Sequence, residues 1–237
     1  FHQWVLFQKT IFKKHPSRFP TYGSHKSVAS IKPEFLRAHF KKFYRPENMV
    51  VAVVGDVANV RRLVEDSFHF NIPGRAKHDR VTEPKQKNAR ISREKRNISN
   101  TYVVFGYSAV GRMHSDSYVI DVIDAVLGRG QSGWMFDEIR NKHGLAYDVG
   151  TQHVAEKDFG YFATYASTER KNLGRVIKLI KGQFERLSAL NQKELNEAKT
   201  FIEGDFLIES EEVQKSADGL LFWAQMGDPK LFLDYVK

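Results

Sequence analysis

The chain contains no cysteine. That excludes disulfide staples, thiolate metal sites and a thiol nucleophile. Long hydrophobic runs are missing too, since none approaches the roughly 20 residues that a membrane-spanning helix needs. The first residues show no signal-peptide pattern, and a cytoplasmic location is the expectation. Aromatic residues are absent from the most basic stretch, Arg75 to Arg96, so base stacking on nucleic acid has no platform there.

What is present suits a folded chain. The 237 residues are 41% hydrophobic and include 18 phenylalanines, enough for two small domains or one large one. The net charge of +9 would suit nucleic acid or a membrane surface. Its distribution argues against a focused patch. Lys and Arg are densest between Arg75 and Arg96, a stretch with Pro84 and few apolar residues. That composition predicts a solvated linker, with docking of an acidic partner as the alternative. Proteolysis is expected to cut there first.

Periodicity gives the coarse layout. Helices are expected over His2 to Lys14, Lys32 to Phe43 and Asn59 to His69, with a loop between His15 and Ala29. Met49 to Val54 is a continuous apolar run and reads as a buried strand. Thr101 to Tyr107 reads as another strand, Ser115 to Leu127 as a helix. Tyr147 to Val154 and Gly160 to Ser167 read as paired strands. Two further helices, Leu173 to Leu190 and Gln192 to Ile208, break near Asn191. Strands in clusters with helices in runs predict the α+β class.

The stretch from Leu127 to Val149 carries the most information. It opens on Gly128, Gly130 and Gly133, runs into a short helix through Trp134, Met135, Phe136 and Ile139, and stops at Gly144. Arg140 falls in the last turn of that helix, where a cation complements the dipole. Gly144 suits a left-handed cap. Tyr147 then lies on an extended segment, seven residues after Arg140. A guanidinium offers planar, paired donors to a carbonyl, and a phenol offers one donor to an oxygen that is gaining charge. The pair suits holding a peptide carbonyl; on spacing alone it also suits a solvated cap arginine and an ordinary strand tyrosine.

These residues resemble the second domain of the pitrilysin/insulinase family of zinc metallopeptidases, especially the branch like mitochondrial processing peptidase. The match is Arg140, three residues, then Gly144-Leu145-Ala146-Tyr147. Upstream, His15-Pro16, Gly23, Tyr44-Arg45-Pro46-Glu47-Asn48-Met49 and Val53-Val54-Gly55-Asp56 resemble the close of the family's first domain. Glu194 to Gly204 resembles a late helix, with Gly227-Asp228 as terminator. The resemblance implies a mostly antiparallel sheet with helices packed on one face. It places the end of a zinc-type first domain at residues 1–70, a basic linker at 71–98 and a second domain, cut short, at 99–237. It also implies that Tyr147 and Arg140 bind the substrate carbonyl or oxyanion, that peptide or unfolded polypeptide is the substrate, and that the subunit pairs as a homodimer or heterodimer. Two departures bear on substrate preference: the turn carries one serine, in Gln131-Ser132-Gly133-Trp134, and Ser17 follows His15-Pro16 where the family often has tyrosine.

The family's zinc motif, His-x-x-Glu-His on a helix, does not occur. Of nine histidines, His153 comes nearest, in His153-Val154-Ala155-Glu156, but Lys157 stands where the second ligand should be. His15, His39 and His143 read as structural or solvated. The zinc of the full-length enzyme is therefore expected on ligands outside this chain. Three functions compete: a metalloendopeptidase subunit whose zinc half is absent from this sequence, a family partner that never carries zinc and supplies the Arg/Tyr pair to or structurally supports another subunit, and a basic nucleic-acid binder favoured only by net charge.

Overall fold

The computed structural model describes residues 2–69, 74, 76 and 81–236. Its helices are α1 (His2–Ile11), α2 (His25–Ala29), α3 (Pro33–Phe43), α4 (Val60–Ser67), α5 (Asp116–Gly128), α6 (Trp134–Phe136), α7 (Leu173–Arg186), α8 (Gln192–Glu211), α9 (Val213–Met226) and α10 (Leu231–Asp234). Its strands are β1 (Thr101–Ala109), β2 (Ala146–Ala155) and β3 (Gly160–Thr168). They form one antiparallel sheet in the order β1-β3-β2. The α+β class read from the sequence holds.

Two compact units share the chain: Phe1–Phe19 with Val81–Asp205, and Pro20–Arg80 with Phe206–Lys237. This division differs from the expected one at residues 70 and 99, and the reason lies in α1. Phe7, Ile11 and Phe12 are buried against Tyr161 and Ala163 of β3, with Val104 of β1 and Val154 of β2 beside them. Phe7 lies so close over Gly106 that a Cβ there would come within 2.8 Å of the ring. The first residues thus belong to the sheet, far along the chain.

Strand register sorts the sheet into two faces, because residues directly opposite in a pair point the same way. Tyr161, Ala163 and Tyr165 look toward α1, while Phe162, Thr164 and Ala166 look the other way. The second face packs on α5, α6 and α7. Leu127, Met135, Ile139, Val176 and Ile180 are fully buried there, and Phe184 packs edge-on against Phe162. Each such aliphatic side chain contributes about 1.5–3 kcal/mol relative to an exposed one. The expected helical face is therefore present, and α1 adds a layer on the opposite face.

The expected basic linker is tied down over its described part. The Glu83 carboxylate accepts from the backbone N–H groups of Lys13, Lys14 and His15 at 2.6, 2.8 and 2.9 Å. Arg90 donates to the carbonyls of Thr10 and Ile11 at the end of α1, at 3.3 and 2.7 Å. Glu94 meets His2 at 2.6 Å at the other end. Residues 81–96 are a strap across α1, anchored by charged groups that composition alone assigned to solvent. The remainder of that linker, at residues 71–73, 75 and 77–80, lies outside the described residues.

In the second unit, α3 and α4 form as expected, but Met49 to Val54 does not become a strand. Val50, Val51 and Val53 are 48%, 45% and 42% exposed, and no strand among the described residues pairs with them. An isolated extended segment has no ladder to join. The expected loop at 15–29 holds α2, whose start is capped reciprocally by Ser24 and Ser27. The missed signal was that pair of serines three apart.

Candidate functional site

The glycine-rich turn is shaped by close approach. A Cβ on Gly128 would lie 1.7 Å from the Thr151 hydroxyl of β2, so only glycine lets α5 end against that strand. Gly130 takes φ +50°, and the chain enters α6 at Gly133. Trp134, Met135 and Ile139 anchor this short helix in the core. Arg186 lies 3.8 Å over the Trp134 ring and pairs with Glu194 at 2.7 Å.

From Asp137 to Lys142 the helix widens into a π-turn. The expected α-helical last turn is thus replaced by a form that recurs at functional sites. The turn closes with Gly144 at φ +59°, the Gly144 N–H on the Arg140 carbonyl at 3.0 Å and the Leu145 N–H on the Ile139 carbonyl at 2.9 Å. β2 starts at once, and its register against β3 slips between Ala146 and Asp148. Tyr147 is the residue left over, a bulge that re-aims its side chain. It is 79% exposed.

The structure brings Arg140 and Tyr147 together. Arg140 Nη1 donates to the Tyr147 backbone carbonyl at 2.7 Å, and the guanidinium sits 4.9 Å from the Tyr147 ring and 4.8 Å from the Phe136 ring. The arginine is thereby fixed at a planar, stacked position rather than waving in solvent, with donors left over for a second carbonyl. Phe136 is the residue that the sequence reading counted only as core.

Neighbouring charges hold the π-turn. Lys142 pairs with Asp137 at 3.0 Å and Glu138 at 3.2 Å. The Lys142 bond holds the Asp137 carboxyl below its usual range, and the Asp137 bond lifts the Lys142 ammonium. Lys142 and Asp137 are about half exposed, so water screens their pair and it is worth little in stability. His143 is bracketed by Arg175, 3.0 Å from Nδ1, and Glu138, 3.2 Å from Nε2. A guanidinium only donates, so Nδ1 accepts and the proton sits on Nε2, facing the carboxylate.

A buried polar network lies behind β2, and no motif announced it. Asp121 of α5 accepts from Arg112 at 2.5 and 3.2 Å and meets His153 Nδ1 at 2.7 Å. Burial pushes the Asp121 carboxyl up, but the bonds from His153 and Arg112 outweigh it and hold the group below its usual range. Asp124, one turn along, is pushed up by burial. His153, the nearest candidate for a metal motif, is thus committed to a carboxylate, with its side chain 2% exposed. His15 is spent as well: its Nδ1 accepts from the Ser17 N–H at 3.2 Å. Among the described residues no group of three or more His, Asp or Glu side chains could hold a metal ion. A zinc centre does not fit the residues described here.

Comparison with known proteins gives a consistent picture. The family model described as peptidase M16 inactive domain matches residues 30–202. A Bacillus subtilis (strain 168) protein named uncharacterized zinc protease YmxG is 23% identical over 208 residues, 87% of this chain and 51% of the relative. One from Mycobacterium leprae (strain TN), named uncharacterized zinc protease ML0855, is 29% identical over 182 residues, 74% of this chain and 40% of the relative. The crystal structure of a protease from Helicobacter pylori superposes with a TM-score of 0.84 at 22% identity, covering 99% of this chain and 59% of that one. The chain spans about half the length of the curated relatives it matches.

Proposed function

Since this chain belongs to the peptidase M16 inactive-domain family, we propose that it is the part of a zinc metalloendopeptidase that binds the substrate peptide and closes over the catalytic half. The observation that carries this is the Arg140–Tyr147 unit. A π-turn and a bulge, two local departures from regular structure, combine to present a stacked guanidinium and an exposed phenol side by side. The hydrolytic chemistry belongs to zinc ligands outside this chain, as the names of the relatives imply for the whole protein.

In this reading Arg140 holds a backbone carbonyl of the peptide and fixes its register. Its geometry toward the Tyr147 carbonyl is the template for that contact. Tyr147 donates its phenolic hydrogen to the substrate oxygen that gains charge as the scissile bond is attacked. Closure of the two halves completes the site and excludes water. The substrate is a peptide or unfolded polypeptide, and the subunit works as a dimer with itself or with a related subunit, as in a processing peptidase.

The test is kinetic, in the full-length protein with a fluorogenic peptide. Tyr147→Phe should lower kcat roughly a hundredfold, about 3 kcal/mol, with the fold intact. Arg140→Ala should mainly raise KM, and Arg140→Lys should not restore it, because the planar fork is lost. Full kcat in Tyr147→Phe together with full kcat/KM in Arg140→Ala would reduce the pair to a cap and a strand aromatic.

A further inference from the structure

On the α1 face of the sheet, along the edge strand β2 that carries Tyr147, lies a recess of about 390 Å³ lined by Gln3, Trp4, Asp148, Thr151, Gln152 and Tyr165. Its construction is specific. Gly150 has no side chain, which lets the Tyr165 ring cross β2; a Cβ there would come within 2.8 Å of the phenol oxygen. Trp4, from the first turn of α1, meets Tyr165 at 5.7 Å between centroids and 63° between planes, forming an aromatic corner. Asp148 is the one charged group of the six. Burial, then the negative charges of Asp148 and Asp124, push the Tyr165 phenol up. Asp148 thus places a negative charge in the recess, on a chain whose net charge is +9.

We propose that this recess binds a cationic side chain of the substrate peptide, the guanidinium of arginine or the ammonium of lysine. Aromatic faces attract a cation through their quadrupole. The Asp148 carboxylate supplies the counter-charge, and the side-chain carbonyls of Gln3 and Gln152 accept from the N–H groups. The methylene stem packs in the Trp4–Tyr165 corner. Asp148 directly follows Tyr147, so one peptide reaches both places. The peptide as carrier rests on the function proposed above; the recess as a cation site does not.

The experiment uses the 15N-labelled chain and follows the Trp4 indole N–H signal, assigned with Trp4→Phe. The probes are Nα-acetyl-arginine amide, its uncharged isostere Nα-acetyl-citrulline amide, and free arginine. The arginine amide should shift the signal saturably in the millimolar range, with citrulline at least fivefold weaker. Asp148→Asn, an exposed and conservative change, should weaken the arginine amide about tenfold while far-UV circular dichroism stays the same. Equal binding of citrulline, no effect of Asp148→Asn, or no Trp4 shift would each overturn the proposal. Tighter binding of free arginine than of the capped amide would overturn a peptide as the carrier. The titration needs no turnover and is read on the chain with Tyr147 and Arg140 intact, independently of the kinetics of their variants. Failure of the kinetic test with probe binding intact thus discards the peptidase role alone, and the reverse discards this inference alone.

Discussion

Gly128→Ala tests how tightly the candidate site is tied to the sheet. The added Cβ would start 1.7 Å from Thr151 Oγ1 and 3.0 Å from Thr151 Cβ. Threonine is stiff at χ1, so the hydroxyl cannot swing away freely, and the end of α5 must move off β2. Overpacking of this kind costs about 1–3 kcal/mol, and the overlap puts it near the top of that range. Alanine gains back up to about 1 kcal/mol of helix propensity over glycine. The net expectation is a loss of about 2 kcal/mol in urea unfolding of the chain, with an unchanged m-value. Thr151→Ala alone should cost about 1 kcal/mol, through its bond to Asp124. The double variant should lose clearly less than the two singles added, with a coupling of about 1–2 kcal/mol. Strict additivity, or a Gly128→Ala variant as stable as the parent, would refute the close-approach argument.

Two further outcomes follow from the structure. Asp121→Asn leaves Arg112 buried without its counter-ion and should cost about 3 kcal/mol at pH 7 in the same unfolding assay. Because the folded carboxyl is held below its ordinary value of about 3.9, this stabilisation is full above that pH and is lost as pH falls through the lower folded value; a gap between parent and variant that is unchanged at pH 3 contradicts the assignment. Glu83→Ala removes three bonds to the end of α1, and trypsin should then cut at Lys85 and Lys87 about fivefold faster, read by mass spectrometry, on a loss of about 1 kcal/mol for a partly buried anchor; equal rates would return the strap to a solvated linker.

The parts of the fold that the sequence made legible are those set by local pattern. The spacing of Arg140, Gly144 and Tyr147 was enough to place the two side chains together, because a left-handed cap turns the chain within a few residues. The widening of the helix at Asp137 to Lys142 left no trace, since π-geometry answers to how Met135 and Ile139 seat in the core. Arg112 and Asp121 lie nine residues apart and His153 another 32 along, separations that carry no spacing rule, so their network could not be read. Met49 to Val54 reads as a strand by composition, but pairing depends on a neighbour that composition does not name. The strap failed for a similar reason: Glu83 and Arg90 look solvated until α1 offers free N–H and carbonyl groups to meet them.

The burial of α1 under residues made much later has a consequence for synthesis. Phe7 and Phe12 pack on Tyr161, about 150 residues further along. At a synthesis rate of roughly 5–20 residues per second, that partner emerges some 8–30 s after α1. A ten-residue helix is marginal in water by itself, so its aromatic face waits unprotected on the ribosome. The β2–β3 hairpin is the most local pairing and should close first, with α1, made about 150 residues before its partner, docking after it. Nascent chains stalled before Gly160 should therefore keep Lys9 and Lys13 open to protease, and chains stalled well after Thr168 should not. Within this pairing the demand on holding factors in the cell falls on the earlier-made partner, α1, and not on the later-made strand.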